Sequence, residues 1–281
     1  MHAAAGLSSM LFVPGGKPER YAKALNSAAD AVCIDLEDSV PAADKAMARK
    51  SALDAIAEGD SRLVLRINGV ATRAGLEDIL ALADAPVLPP LLFLPMVESA
   101  AEIGIVTAVL GDKCPPLVPL IETVKGLEAA GAIASAPGVA AMMFGGGDFS
   151  AELGVALAWE PLRTARGLFI MACARAGVPA IDVPFIALDD AEGLVAEAAA
   201  AKAIGFTGKA AIHPAQIDPI NQTFRPTPDE IVEAEEAQQV FEAANGAAVR
   251  FKGRMLEAPI MRRYQRILEQ RNLAMRSNKN A

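Results

Sequence analysis

The chain is short of the side chains that most often move protons and bind transition metals. It has two histidines and three cysteines in 281 residues. His2 stands in the terminal stretch, which leaves His213 as the one imidazole placed for chemistry. A zinc site built on several histidines is excluded. A Ser-His-Asp triad would have to be built on His213, and no Gly-x-Ser-x-Gly elbow accompanies it. Cys33, Cys114 and Cys173 are far apart and odd in number, which fits a reducing cytoplasm and not a disulfide framework. Basic charge is also lacking: 26 Lys and Arg against 34 Asp and Glu give a net charge of −8. Nucleic acid, which needs a basic face, is therefore not an expected partner. The mean hydropathy of +0.30 comes largely from alanine. The longest uncharged window, residues 129–147, is interrupted by Pro137 and ends in three glycines, so no membrane span is expected. No charged segment precedes an apolar one at the start of the chain, so no secretory signal is read and the expected location is the cytoplasm.

Hydrophobic residues make up 53% and charged residues 21%, enough apolar material for a core and too much for a disordered chain. The length implies one large domain, or one plus an appendage. Short apolar runs alternate with Ala/Leu-rich amphipathic stretches. Strands are expected over 10–13, 31–36, 63–67, 91–96, 117–121, 139–144, 178–181 and 208–212. Helices are expected over 18–27, 42–57, 72–82, 100–110, 124–134, 161–176 and 191–203. This alternation implies parallel strands joined by crossover helices, and eight strands make a (β/α)8 TIM barrel. A doubly wound open sheet is the rival, but the segment after the first strand, Pro14-Gly15-Gly16-Lys17, is too short for its glycine fingerprint. Past Asn221 the rhythm changes to a helix over 230–244, a short strand over 248–251, a Lys252-Gly253 turn and a helix over 259–270. The division is thus a barrel domain, 1–221, and a C-terminal helical lid or oligomerisation extension, 222–281.

Barrel enzymes work at the C-terminal ends of their strands. There the chain places Asp35-Leu36-Glu37-Asp38, Arg66-Ile67-Asn68, Glu122-Thr123, Gly145-Gly146-Gly147-Asp148 and His213-Pro214. Glu122 and Asp148 follow neighbouring strands. Two carboxylates plus water and substrate oxygens is how Mg²⁺ is held, although each could instead cap the helix that follows it. The glycine triplet, Gly147 included, offers backbone amides to a carboxylate or phosphate, or is simply a turn. Arg66 carries a planar donor fork for a carboxylate or enolate, or pairs with Asp35, Glu37 or Asp38. Lys45 and Arg49 could join that acidic cluster. His213 reads as a polar plug at the barrel mouth, and Trp159 and Met142-Met143 as core or loop anchors.

These segments resemble the citrate lyase β-subunit-like and malyl-CoA lyase family of the HpcH/HpaI aldolase superfamily. The resemblance rests on Leu11-Phe12-Val13-Pro14-Gly15, Asp35-Leu36-Glu37-Asp38-Ser39-Val40, Arg66-Ile67-Asn68, Pro119-Leu120-Ile121-Glu122-Thr123 and Gly145-Gly146-Gly147-Asp148. Gly208-Lys209 and Ile212-His213-Pro214-Ala215-Gln216-Ile217 resemble the family's eighth-strand segment. The resemblance implies a Mg²⁺-dependent carbon–carbon lyase acting on a 3-hydroxyacyl-CoA thioester, of citryl-CoA or malyl-CoA type, with a 2-oxo acid or glyoxylate-type partner. It implies that Glu122 and Asp148 hold the metal and that Arg66 holds the oxo acid and enolate, with Glu122 and Gly147 also against the substrate. It further implies a homo-oligomer, trimer or hexamer, in which a lid carboxylate completes a neighbouring subunit's site. Here the family's Gly-x-Met-Ile-Asp reads Gly253-Arg254-Met255-Leu256-Glu257, so the lid carboxylate is one methylene longer. Two other readings stand beside this one. A metal-dependent pyruvate aldolase on 4-hydroxy-2-oxo acids would use a histidine near the second strand, and residues 31–48 contain none. A non-catalytic barrel that binds CoA esters or organic acids has against it the intact set of Arg66, Glu122 and Asp148. The apolar positions of the tail helices either pack on the chain's own barrel or belong to the lid.

Overall fold

A computed structural model describes residues 6–277, with side chains to 273; His2 lies outside the described residues. Eight parallel strands close into a barrel in sequential order. They are β1 (Ser9–Pro14), β2 (Ala31–Asp35), β3 (Leu63–Arg66), β4 (Leu92–Leu94), β5 (Leu117–Ile121), β6 (Met142–Phe144), β7 (Ala180–Asp182) and β8 (Gly208–Ala211). The expected TIM barrel is the fold, and the open-sheet rival falls because β8 pairs with β1. The helices between strands are α1 (Tyr21–Leu25), α2 (Lys45–Ala57), α3 (Arg73–Asp84), α4 (Ala100–Leu110), α5 (Val124–Ala134), α6 (Gly146–Leu153), α7 (Trp159–Ala176) and α8 (Ala191–Ile204). Helix α6 was not expected: the glycine triplet is a helix start and not a loose turn. The strands are one to three residues shorter than their apolar runs at β4, β6 and β8, where the ladder ends before the hydrophobicity does.

Side chains along a strand alternate between the barrel interior and the helix layer. The interior is packed by Met10, Cys33, Val64, Phe93, Val118, Leu120, Met143, Ile181 and Ala210, one or two residues per strand. Small residues at Ala31 and Ala210 leave room for Phe93 and Met143. Stepping two residues on from the interior positions reaches Phe12, Asp35, Arg66 and Glu122. The period that fills the core thus also aims these four side chains at the mouth.

The opposite parity carries a second polar cluster between sheet and helices. Asp182 and Lys209 are register partners on β7 and β8 and fully buried. Lys209 Nζ donates to Asp182 Oδ2 at 2.6 Å, Glu197 Oε1 at 2.7 Å and the Val183 carbonyl at 2.7 Å. Arg166 Nε donates to Asp182 Oδ1 at 2.8 Å, and its guanidinium lies against the rings of Phe144 and Trp159 at 5.5 and 4.9 Å. Arg166 holds a place in the buried stripe of α7 otherwise made of Leu162, Ala165, Phe169 and Cys173.

Residues 224–281 form a separate compact unit. After α9 (Ile217–Phe224), α10 (Pro228–Ala243) is opened by a Thr227–Glu230 capping box. A hairpin follows, β9 (Val249–Phe251) and β10 (Arg254–Leu256), then α11 (Ala258–Ser277). Lys252 and Gly253 are both left-handed, at φ 45° and 80°, which matches the twist of a two-residue hairpin turn. The expected turn is there, and β10 is an addition. Ala237, Leu256 and Met261 form the unit's own core with Phe251 and Tyr264 against it. Ile260 of α11 is exposed, because the apolar seam of that helix runs through Met261, Tyr264 and Leu268. Among the described residues no helix is long and apolar enough to cross a membrane.

The buried cluster generates a stability prediction. Removing one member of a buried ion network strands its partners, which costs about 3–5 kcal/mol. Lys209→Met should therefore lower the free energy of unfolding by about that much in denaturant titration, although it adds apolar surface.

Candidate active site

Arg66 ends β3 and is gripped by the loop that leaves β2. Its Nε donates to Asp35 Oδ1 at 2.7 Å and its Nη2 to Asp38 Oδ2 at 3.4 Å. Glu37 Oε2 lies 2.9 Å from Nη1, an ion pair approached too obliquely for a hydrogen bond. The ring of Phe12 on β1 lies under the guanidinium at 4.9 Å. Asp35 is itself held by the amides of Glu37 and Ser39 at 2.9 and 3.2 Å. The anchoring expected of Asp35, Glu37 and Asp38 is present, and its two hydrogen bonds leave three of the five guanidinium N–H groups free of one.

Burial works against the charge on Arg66, but the Asp35 hydrogen bond and the surrounding carboxylates outweigh it and raise the pKa. Burial likewise opposes ionisation of Asp35, and the guanidinium overcomes it, lowering the pKa. For Glu37 burial wins: with Asp38, Glu122 and Asp35 nearby, its pKa rises to about 8 against the pull of Arg66.

Glu122 follows β5 directly and is 5% exposed. Thr123, not Glu122, caps α5, its hydroxyl accepting from the Gly126 amide at 3.0 Å. The capping alternative for Glu122 is therefore gone. Its Oε2 accepts from the Met96 amide at 2.7 Å. Met96 follows β4 at φ 54°, a left-handed conformation that costs a residue with a side chain about 1 kcal/mol. On the other side Glu122 fills the space where Gly145 has no side chain. A Cβ at Gly145 would stand 2.2 Å from Glu122 Cγ. Burial, with Asp148 and Asp38 adding to it, pushes the Glu122 pKa up to about 7 despite Arg66 and the Met96 amide.

Asp148 does not end a strand. It lies in the first turn of α6, exposed, where a negative charge suits the helix dipole. Strands β5 and β6 are paired through Ile121 and Phe144, so the segments carrying Glu122 and Asp148 are neighbours as expected. No side chain caps α6, and Gly147 is exposed, with nothing within 4 Å of where its Cβ would be. Its amide is open to a ligand.

Asp35, Glu37, Asp38 and Glu122 put four carboxylates around the single guanidinium of Arg66, and Asp148 adds a fifth near Glu122. That excess suits a divalent cation, and hard carboxylate oxygens suit Mg²⁺. Among the described residues no three His, Cys, Asp or Glu side chains converge into a complete protein cage. The donor set present is the sparse kind that leaves coordination positions for water and substrate.

Other expected residues stand elsewhere. His213 is exposed and is no plug: its Nδ1 accepts from the Ala215 amide at 3.2 Å, starting the short turn before α9. Lys45 joins the site loop, donating to the carbonyls of Leu36 and Glu37 at 2.7 and 2.6 Å. Arg49 turns away to Asp78, which also takes the amide and side chain of Asn68 at 2.8 and 2.6 Å. Glu257 is exposed between β10 and α11 in the C-terminal unit. Sequence reasoning missed Phe12, Met96 and Asp78 as site-shaping residues. Asp78 had a signal, an acid beside Ile79 on the core side of α3; Met96 had none.

A family model described as HpcH/HpaI aldolase/citrate lyase matches residues 8–214. The chain belongs to this family. It is a family of carbon–carbon lyases, and a second model, a C–C bond lyase of the TIM-barrel fold, matches residues 158–273. The chain is 36% identical to a (3S)-malyl-CoA thioesterase of Cereibacter sphaeroides over 86% of each chain. It is 31% identical to an L-malyl-CoA/beta-methylmalyl-CoA lyase of Rhodobacter capsulatus over 94% of each. Among solved structures it is similar to CitE of Mycobacterium tuberculosis in complex with magnesium, acetoacetate and coenzyme A. That match has a TM-score of 0.80 at 33% identity, covering 95% of this chain and 98% of the other.

The raised pKa of Glu122 has a sign that can be measured. A carboxyl whose folded pKa of about 7 exceeds its usual 4.5 holds its proton more tightly when folded, so stability falls as pH rises between those values. With divalent cations chelated, the protein should lose thermal stability across that window. Glu122→Gln should flatten the loss, and an equal slope in the variant would show that Glu122 ionises normally.

Proposed function

We propose that the chain is a Mg²⁺-dependent lyase that cleaves, or in reverse forms, the C2–C3 bond of a 3-hydroxyacyl-CoA thioester. The observation that carries this reading is the meeting of Arg66 with Glu122 and the Asp148 segment at the barrel mouth, with more negative charge than the arginine can balance. Glu122 and Asp148 hold the metal. Mg²⁺, when bound, supplies Lewis-acid polarisation of the 2-oxo acid carbonyl.

Arg66 uses its remaining N–H groups on the oxo acid carboxylate and on the enolate oxygen, and the Gly147 amide adds a donor at the same mouth. Asp35 and Phe12 keep the guanidinium from swinging out. In the cleavage direction the 3-hydroxyl loses a proton and becomes the oxo carbonyl, and C2 leaves as a thioester enolate that takes up a proton. Glu257, on the C-terminal unit, is the acid/base carboxylate, supplied to a neighbouring subunit's site in a homo-oligomer. The test is turnover on a panel of malyl-, methylmalyl-, citramalyl- and citryl-CoA. Asp148→Asn should lower kcat/KM by at least 100-fold through lost metal binding. Full activity after exhaustive chelation would overturn the metal assignment.

A second reading has its own support. Hydrolysis of the thioester is named for the Cereibacter relative, and the longer Glu257 side chain reaches a different point from the aspartate it replaces. Free thiol without an aldehyde or oxo acid product in the same assay would favour it. The shared site is tested by complementation. Glu257→Ala and Asp148→Ala chains, each inactive alone, should regain part of the activity after subunit exchange. No recovery in proven mixed oligomers would rule it out.

A further inference from the structure

Met96 is placed oddly for an ordinary core residue. Of the three described non-glycine residues with positive φ, Asn245 and Lys252 lie in turns of the C-terminal unit, and Met96 stands in the barrel. Its neighbours Leu94 and Val97 are fully buried, whereas Met96 is 39% exposed. The strained backbone does two things at once. It turns the Met96 amide onto Glu122 Oε2, and it swings the thioether side chain into a cavity of about 480 Å³. One wall of that cavity is apolar, made by Val40, Val70, Ala71 and Met96; Glu37 and Asp38, the carboxylates that grip Arg66, line it as well. The cavity thus adjoins the carboxylates that pair with Arg66 and the residue whose amide holds Glu122, while Arg66 and Glu122 themselves do not line it.

We infer that this apolar wall receives the carbon substituent of the oxo acid, so that the chain takes a 2-oxo acid bearing an alkyl group, pyruvate or larger, in preference to glyoxylate. The inference rests on the proposed function, which places the oxo acid between Arg66 and Glu122. The charged ends of such a molecule belong at the guanidinium and the cation, which carry the opposite charge. Only its carbon substituent gains by leaving water, and Met96 is the apolar side chain whose backbone touches Glu122. Glyoxylate has a hydrogen there and would leave the Met96 thioether and the Ala71 methyl group wet. Methionine suits the role because its unbranched, polarizable chain adapts to ligands of different length.

The test is isothermal titration of the Mg²⁺-loaded protein with glyoxylate, pyruvate and 2-oxobutyrate. Each buried carbon should tighten binding by about fourfold, the equivalent of ~0.8 kcal/mol per methylene. Met96→Gly keeps the amide that Glu122 accepts from and releases the backbone strain, so it should still bind the acids but flatten the series. Met96→Leu restores apolar bulk and should restore the gradient. Equal or tighter binding of glyoxylate by the unaltered protein would overturn the inference alone. So would a full gradient in Met96→Gly. If none of the three acids binds in a Mg²⁺-dependent way, the proposed function falls and takes the inference with it.

Discussion

The mouth of the barrel depends on one guanidinium. Arg66 ties the end of β3 to the loop leaving β2 through three carboxylates, and the carboxylates in turn make that loop a fixed structure. Glu37 and Asp38 could not sit together near Glu122 without a cation between them. Arg66 supplies a single charge, so the clasp is stable yet leaves the mouth negative. A site that is held by an arginine and still short of positive charge is prepared for a divalent ion; burial first, and the neighbouring carboxylates after it, raise the pKa values of Glu37 and Glu122. Positioning and charge deficit are two sides of one arrangement.

The second ion cluster shows why the two do not interfere. Asp182 and Lys209 occupy the outward parity of the strands and meet Arg166 and Glu197 of the helix layer there, whereas Asp35 and Arg66 take the inward parity. The sheet separates them. The outer cluster closes on itself with two positive and two negative charges and braces β6, β7 and β8. The inner one is left open to ligand. Strand alternation thus assigns one set of charges to stability and the other to chemistry.

Much of this is legible in the residues. Period-2 apolar runs separated by helical stretches announce the barrel, and Asp35, Arg66 and Glu122 lie at strand ends where the periodicity places them. Asp148 was legible as a neighbour of Glu122 but not as a helical residue, because three glycines argue against a helix start unless tertiary contacts hold them. Those contacts are invisible in one dimension: Gly146 is packed by Leu157, Leu162 and Val183, and Gly145 by Glu122. Met96 escaped because its backbone, not its side chain, meets Glu122, and no residue type announces an amide. His213 misled in another way: it reads as a polar plug at the barrel mouth, and it is exposed and serves a turn.

The contact between Gly145 and Glu122 has a consequence for anyone redesigning this barrel. Glycine beside the start of a helix is an obvious target for stabilisation, since alanine there would reduce the freedom of the unfolded chain. At this position the gain would be taken from the site, since the new methyl group and the carboxylate cannot occupy the same space. Such a variant can fold, express and melt normally while its buried carboxylate points somewhere else. Selection for robustness alone would accept it, and only a screen that reads ligand binding would detect the loss.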